Sequence, residues 1–163
     1  MLLFSLCLAK LLVTTGKGNS DTEIIDLLNP NSICKNWANY PYDVFAAVGQ
    51  IVDSYPFICG GFDDDEFHQE CYKITNNSVV SLPNANLRSH SSAGVFKDTL
   101  FIAGGYGKIG DGYGLLSSTD YISESSLESR TDTPMIVFGH CVININDNEI
   151  LLTGGTDIIA GFR

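Results

Sequence analysis

One phrase recurs along this chain and constrains its fold more than any other feature: a short apolar strand that ends in small residues. It reads Leu11-Leu12-Val13-Thr14-Thr15-Gly16, then Phe57-Ile58-Cys59-Gly60-Gly61. It returns as Phe101-Ile102-Ala103-Gly104-Gly105 and as Leu151-Leu152-Thr153-Gly154-Gly155. The closing glycines lie 45, 44 and 50 residues apart. Four or five apolar residues stopped by glycine predict a buried strand, because glycine allows the torsions of a sharp exit. Recurrence at near-constant spacing predicts one supersecondary unit repeated along the chain.

The unit contains more than its glycines. Hairpins are predicted over 46–61, over 91–97 with 99–103, and over 141–145 with 149–153, the last two around the turns Lys97-Asp98 and Asn146-Asp147-Asn148. A third strand follows each glycine pair, at 22–28, 70–75 and 119–124, with Tyr72 and Tyr121 set against each other as equivalents. A fourth strand carries Trp37 and Leu82, each 21 residues past its glycine. His90 and His140 each lie 15 residues before a glycine, which places them at one repeat position; Ala46 holds that position in the earlier unit. A period near 50 residues is that of a kelch-type propeller blade. The expected architecture is all-β: a partial β-propeller of about three and a half four-stranded antiparallel blades, divided at 10–45, 46–89, 90–138 and 139–163. Rings of this type close with roughly 4–8 blades, so a fragment is expected.

The glycine pairs, the aromatic in the following strand, Trp37 before Tyr40-Pro41, and Arg88-Ser89-His90 opening an inner strand together resemble kelch-repeat proteins. The resemblance covers Leu11 to Gly155, with Thr15-Gly16 standing where the first glycine pair belongs. Ile58-Cys59-Gly60-Gly61 followed by Glu70-Cys71-Tyr72 looks like secreted invertebrate members. It implies loops that meet protein partners and, in a few members, an enzyme; the ring alone does not choose.

The remaining 163-residue composition narrows the function classes. Nine basic against nineteen acidic residues give a net charge of −10, which repels nucleic acid, whose phosphates are bound mainly through Lys and Arg. No stretch reaches the roughly 18 uninterrupted apolar residues of a membrane span. Met1–Ala9 reads either as a shortened secretory signal or as the remnant of an inner strand. The five cysteines, at 7, 34, 59, 71 and 141, lack the close pairs of a zinc site. Cys59 and Cys71 are the preferred disulfide, since one hairpin would bring them together; two small buried thiols are the alternative.

Several motifs remain. Gly105-Tyr106-Gly107-Lys108-Ile109-Gly110 matches a dinucleotide fingerprint, but the Asp, Gly and Tyr that follow do not start the helix such a site requires. A flexible loop is expected, its Tyr106 and Tyr113 available to a binding face. Asp63, Asp64, Asp65 and Glu66 form an acidic stretch near His68 without the alternating ligands of a calcium loop, and would favour a basic partner. Asn76 heads the sequon Asn76-Asn77-Ser78 in a predicted turn, which would carry glycan on the secretory route. No nucleophile–base set can be assembled, so neither catalytic residue, metal nor cofactor is expected. The expectation is a non-enzymatic interaction scaffold, extracellular or alternatively cytoplasmic; the rival is a piece of a propeller enzyme, an oxidase or sugar-processing enzyme, with its chemistry elsewhere.

Overall fold

The computed structural model describes residues 10–16, 19–26, 28 and 35–157. Met1–Ala9, Cys7 and Cys34 therefore lie outside the described residues. The first sheet joins β1 (Lys10–Gly16), β2 (Asn19–Asp26) and β3 (Lys35–Asn36). The second is a four-stranded meander of β4 (Val48–Val52), β5 (Tyr55–Cys59), β6 (Cys71–Ile74) and β7 (Val79–Leu82). Next in the chain come β8 (Arg88–Ser89), β9 (Ser92–Phe96), β10 (Thr99–Ala103), β11 (Tyr106–Ile109), β12 (Gly112–Leu115), β13 (Thr119–Ile122) and β14 (Leu127–Arg130). The third sheet runs β9-β10-β13-β14, while β11, β12 and β8 make a small sheet of their own. Finally β15 (Phe138–Asn146) and β16 (Glu149–Thr156) pair as a hairpin. All pairings are antiparallel, and among the described residues no helix is long and apolar enough to cross a membrane.

The sheets stack through their first strands, β4 against β9 and β9 against β15. Because successive side chains point to opposite faces, a strand buried on both faces must be apolar throughout. In β5, Phe57 and Cys59 enter a core shared with Ala93, Leu100, Ile102 and Ile122 of the third sheet. Ile58, between them, enters a second core with Tyr40, Val44 and Ile74 on the other face. The third sheet meets the β15–β16 hairpin where the Asn144 side chain bonds both the N–H and the carbonyl of Val95.

The glycine pairs have two causes. Gly60 and Gly61 have φ of 66° and 103°, Gly104 and Gly105 of 59° and 97°, in the left-handed region. Their amides also tie one sheet to the next: Gly61 donates to the carbonyl of Arg88, and Gly105 to that of Val137. A side chain at Gly60 would meet the Arg88 carbonyl oxygen at 2.8 Å, and one at Gly104 the Val137 carbonyl oxygen at 2.4 Å. The pair is an inter-sheet latch.

Strand register corrects three sequence expectations. Ile58 faces Tyr72 and Ile102 faces Asp120, so Tyr72 is matched by Asp120, and Tyr121 by Lys73. A bulge between Asn144 and Asn146 adds one residue to β15, so equal counting from the glycines misplaces His140. The position of Ala46 and His90 is instead held by Gly139; all three have positive φ, at 56°, 52° and 61°. The stretch after Gly105, expected as a flexible loop, is the β11–β12 hairpin, and Gly107 brings its backbone against Leu87 and Arg88.

Candidate functional site

Beyond each glycine pair the chain makes one more cross-strand pairing. These are Phe45 with Phe62, Ser89 with Tyr106, and Phe138 with Thr156. Four of the six residues are aromatic, and three successive sheets thereby bring their rings to one place. The result is a cavity of about 310 Å³ lined by Phe45, Phe62, Phe67, Ser89, His90, Tyr106 and Phe138. Inside it His90 stacks on Phe138 with centroids 4.9 Å apart and planes 26° apart. Phe45 meets Phe62 edge to face at 5.2 Å. Such pairs contribute roughly 0.5–1.5 kcal/mol beyond the area they bury.

The two stretches singled out as candidate binding loops converge here. Phe62 and Phe67 bridge each other and form the base of the turn Asp63-Asp64-Asp65-Glu66. Phe67 then stacks on Tyr113 of the β11–β12 hairpin at 4.9 Å and 22°, and lies 5.9 Å from Tyr106. Sequence reading found the acidic turn, Tyr106 and Tyr113 but missed Phe45, Phe62, Phe67 and Phe138. The signal was available: an aromatic directly after the glycine pair in two units, and one directly before the left-handed residue in two.

The acidic turn is built around Asp63. Its Oδ1 accepts the amides of Asp65 and Glu66, both at 2.8 Å, and its Oδ2 lies 2.8 Å from Nε2 of His68. The Glu66 amide and then the His68 ring hold the Asp63 carboxyl down at about 2. His68 is buried, with Tyr42 packed on its ring at 4.2 Å and Glu70 3.8 Å from Nδ1. Both Asp63 oxygens thus serve the turn itself. Among the described residues no group of three or more His, Cys, Asp or Glu is placed to hold a metal.

Two further buried polar clusters are also committed to structure. Arg88 Nη1 donates to the carbonyls of Gly104 and Ser118, and Nη2 to Ser118 Oγ and Asp120 Oδ2. Asp120 accepts further bonds from Asn86 and Ser129. One sheet earlier the Tyr40 hydroxyl reaches the carbonyls of Gly60 and Glu70, the positions matching Gly104 and Ser118. Two unlike side chains therefore brace the same pair of carbonyls. Burial pushes the Tyr40 hydroxyl up and lowers the Arg88 guanidinium. A bond with Tyr72 pushes the Tyr42 hydroxyl up to about 12. Burial lowers both His90 and His140, and the Nδ1 of His90 lies 2.9 Å from Ser89 Oγ.

Cys59 and Cys71, directly opposite in the β5–β6 pairing, are joined by a disulfide. Cys141 is a free, exposed thiol. Asn76 is exposed in the turn between β6 and β7, where the Thr75 hydroxyl accepts the amides of Asn77 and Ser78.

No protein-family model matches the chain. Over 85 residues, 51% of its length, it is 32% identical to the spermatocyte protein spe-26 of Caenorhabditis elegans, of which it spans 14%. The solved structure of YjhT superposes with a TM-score of 0.71 at 13% identity, over 85% of this chain and 52% of that one. The chain thus spans about half of YjhT and a small part of spe-26. The likeness to YjhT shows the fold: it is of β-propeller type.

Proposed function

We propose that this chain is part of a kelch-type propeller of about three and a half blades that works as a non-enzymatic protein-interaction scaffold. One observation carries this reading. Three successive sheets deliver aromatic rings to a single cleft at their glycine ends, beside an acidic turn. Rigid aromatic side chains give large contact area at small entropic cost, and interface centres are enriched in them. The glycine latches and the match to part of spe-26 support the kelch-type assignment. An extracellular setting is supported by the Cys59–Cys71 bridge, since such bonds persist in oxidising compartments.

The test places a photo-crosslinking phenylalanine at Phe67 or Tyr106, with Val80 of the outer strand as an exposed control. Saturable crosslinks in extract of the producing cells are expected from the two cleft positions and not from Val80. In a chain labelled at Phe67, Tyr106→Ala should abolish them. Equal labelling at all three positions, or none at the cleft, overturns the reading.

A further inference from the structure

We propose that the aromatic cleft receives one arginine side chain of a partner protein, its guanidinium lying among the ring faces and its charge met by the acidic turn. The proposal rests on the interaction-scaffold reading and names the chemistry of that site.

Size limits the occupant first. At about 310 Å³ the cavity stands at the lower end of small-ligand pockets, suited to one side chain rather than a cofactor. Polarity limits it next. The lining offers three side chains with polar atoms, and two of them, Ser89 Oγ and His90 Nδ1, already face each other at 2.9 Å. A sugar would bury hydroxyls with few partners, which is costly. An anion would enter ring faces that are themselves negative and pass the acidic turn.

A cation gains from both. Ring faces attract it, and Phe62 and Phe67 bracket Asp63 to Glu66, so the carboxylates stand next to the cleft. Asp64, Asp65 and Glu66 are exposed there, and among the described residues no Lys or Arg lines the cavity. Ring orientation favours arginine over lysine. Of the lining rings, His90 and Phe138 lie 26° from parallel and so present flat, similarly oriented faces. A planar, weakly hydrated guanidinium stacks on such faces better than a compact, strongly hydrated ammonium.

The experiment titrates the intact chain with three synthetic nonapeptides, Ac-Gly-Ser-Gly-Ala-Xaa-Ala-Gly-Ser-Gly-amide, where Xaa is arginine, citrulline or norleucine. Two-dimensional NMR of the aromatic protons reports binding. The arginine peptide is expected to bind about tenfold tighter than citrulline, with shifts centred on Phe67, Tyr106 and Phe138. Added salt should weaken it, and Tyr106→Ala should abolish it. Asp65→Asn with Glu66→Gln, which spares Asp63 and so the turn, should weaken it several-fold at an unchanged melting temperature. Equal binding of arginine and citrulline, tighter binding of norleucine, or no binding of any peptide at millimolar concentration overturns the proposal. The crosslinking result separates the two levels: cleft-specific crosslinks alongside any of these outcomes leave the scaffold reading standing and remove only the arginine.

Discussion

Gly104 shows how much one residue can be asked to do in this chain. Its φ of 59° is a conformation that side-chain-bearing residues adopt at a cost, and its missing side chain admits the Val137 carbonyl oxygen of the next sheet. Gly110, at the tip of the β11–β12 hairpin, has nearly the same φ, 57°, yet nothing among the described residues lies within 4 Å of where its Cβ would be. Comparing them separates torsion from contact. Gly110→Ala should lower the unfolding free energy by about 1 kcal/mol, the strain of the left-handed residue alone. Gly104→Ala should cost about 3 kcal/mol or more, because overpacking adds to that strain. Urea titration of both variants checks this. Equal losses would mean that the inter-sheet contact yields freely and the latch is no latch.

At the scale of the element, the period was legible because the glycine pairs 60–61, 104–105 and 154–155 all meet the same torsional demand, a positive φ, to which Gly60 and Gly104 add a close carbonyl. The register within the period was less so. Counting residues from the glycines set His90 against His140, and the one-residue bulge at Asn144–Asn146 undoes that match without leaving a mark in the spacing. Matching by residue type set Tyr72 against Tyr121, whereas strand pairing sets Tyr72 against Asp120. The Arg88–Asp120 pair, 32 residues apart, was invisible because it depends on a hairpin inserted between its partners. The cleft was half legible. Its acidic turn and its tyrosines are local motifs, while its phenylalanines meet only once three sheets are stacked. The Cys59–Cys71 bridge belongs to this scale as well, because the loop it closes contains the acidic turn and Phe67. Cys59→Ala with Cys71→Ala should lower stability by about 2–4 kcal/mol and make the urea midpoint insensitive to reductant. The unsubstituted chain should lose a similar amount when reductant is added. A midpoint that ignores reductant in the unsubstituted chain would contradict the bridge.

At the scale of the whole molecule, the latches and the sheet faces tell the same story about the far side of β15–β16. Gly60 and Gly104 each meet a carbonyl of the following sheet, whereas nothing among the described residues lies within 4 Å of the Cβ position of Gly154. The outward face of the same hairpin leaves Ile143 49%, Ile145 60% and Leu151 45% exposed. The inward face is covered, with Val142 and Asn144 packed against Gly94 of the third sheet. The hairpin therefore has one face packed on the third sheet and one that exposes apolar side chains. Contiguous apolar surface on a two-stranded hairpin is a site for pairing with another chain. In solution the 163-residue chain is expected to self-associate reversibly through this face as its concentration rises. Ile143→Lys with Ile145→Lys should shift that association to at least tenfold higher concentration while leaving the melting temperature of the dilute protein unchanged, since neither side chain reaches the core. Sedimentation velocity across a concentration series reads the effect. Association that persists undiminished in the double variant would place the contact elsewhere, and a loss of melting temperature would show that these side chains are packed after all.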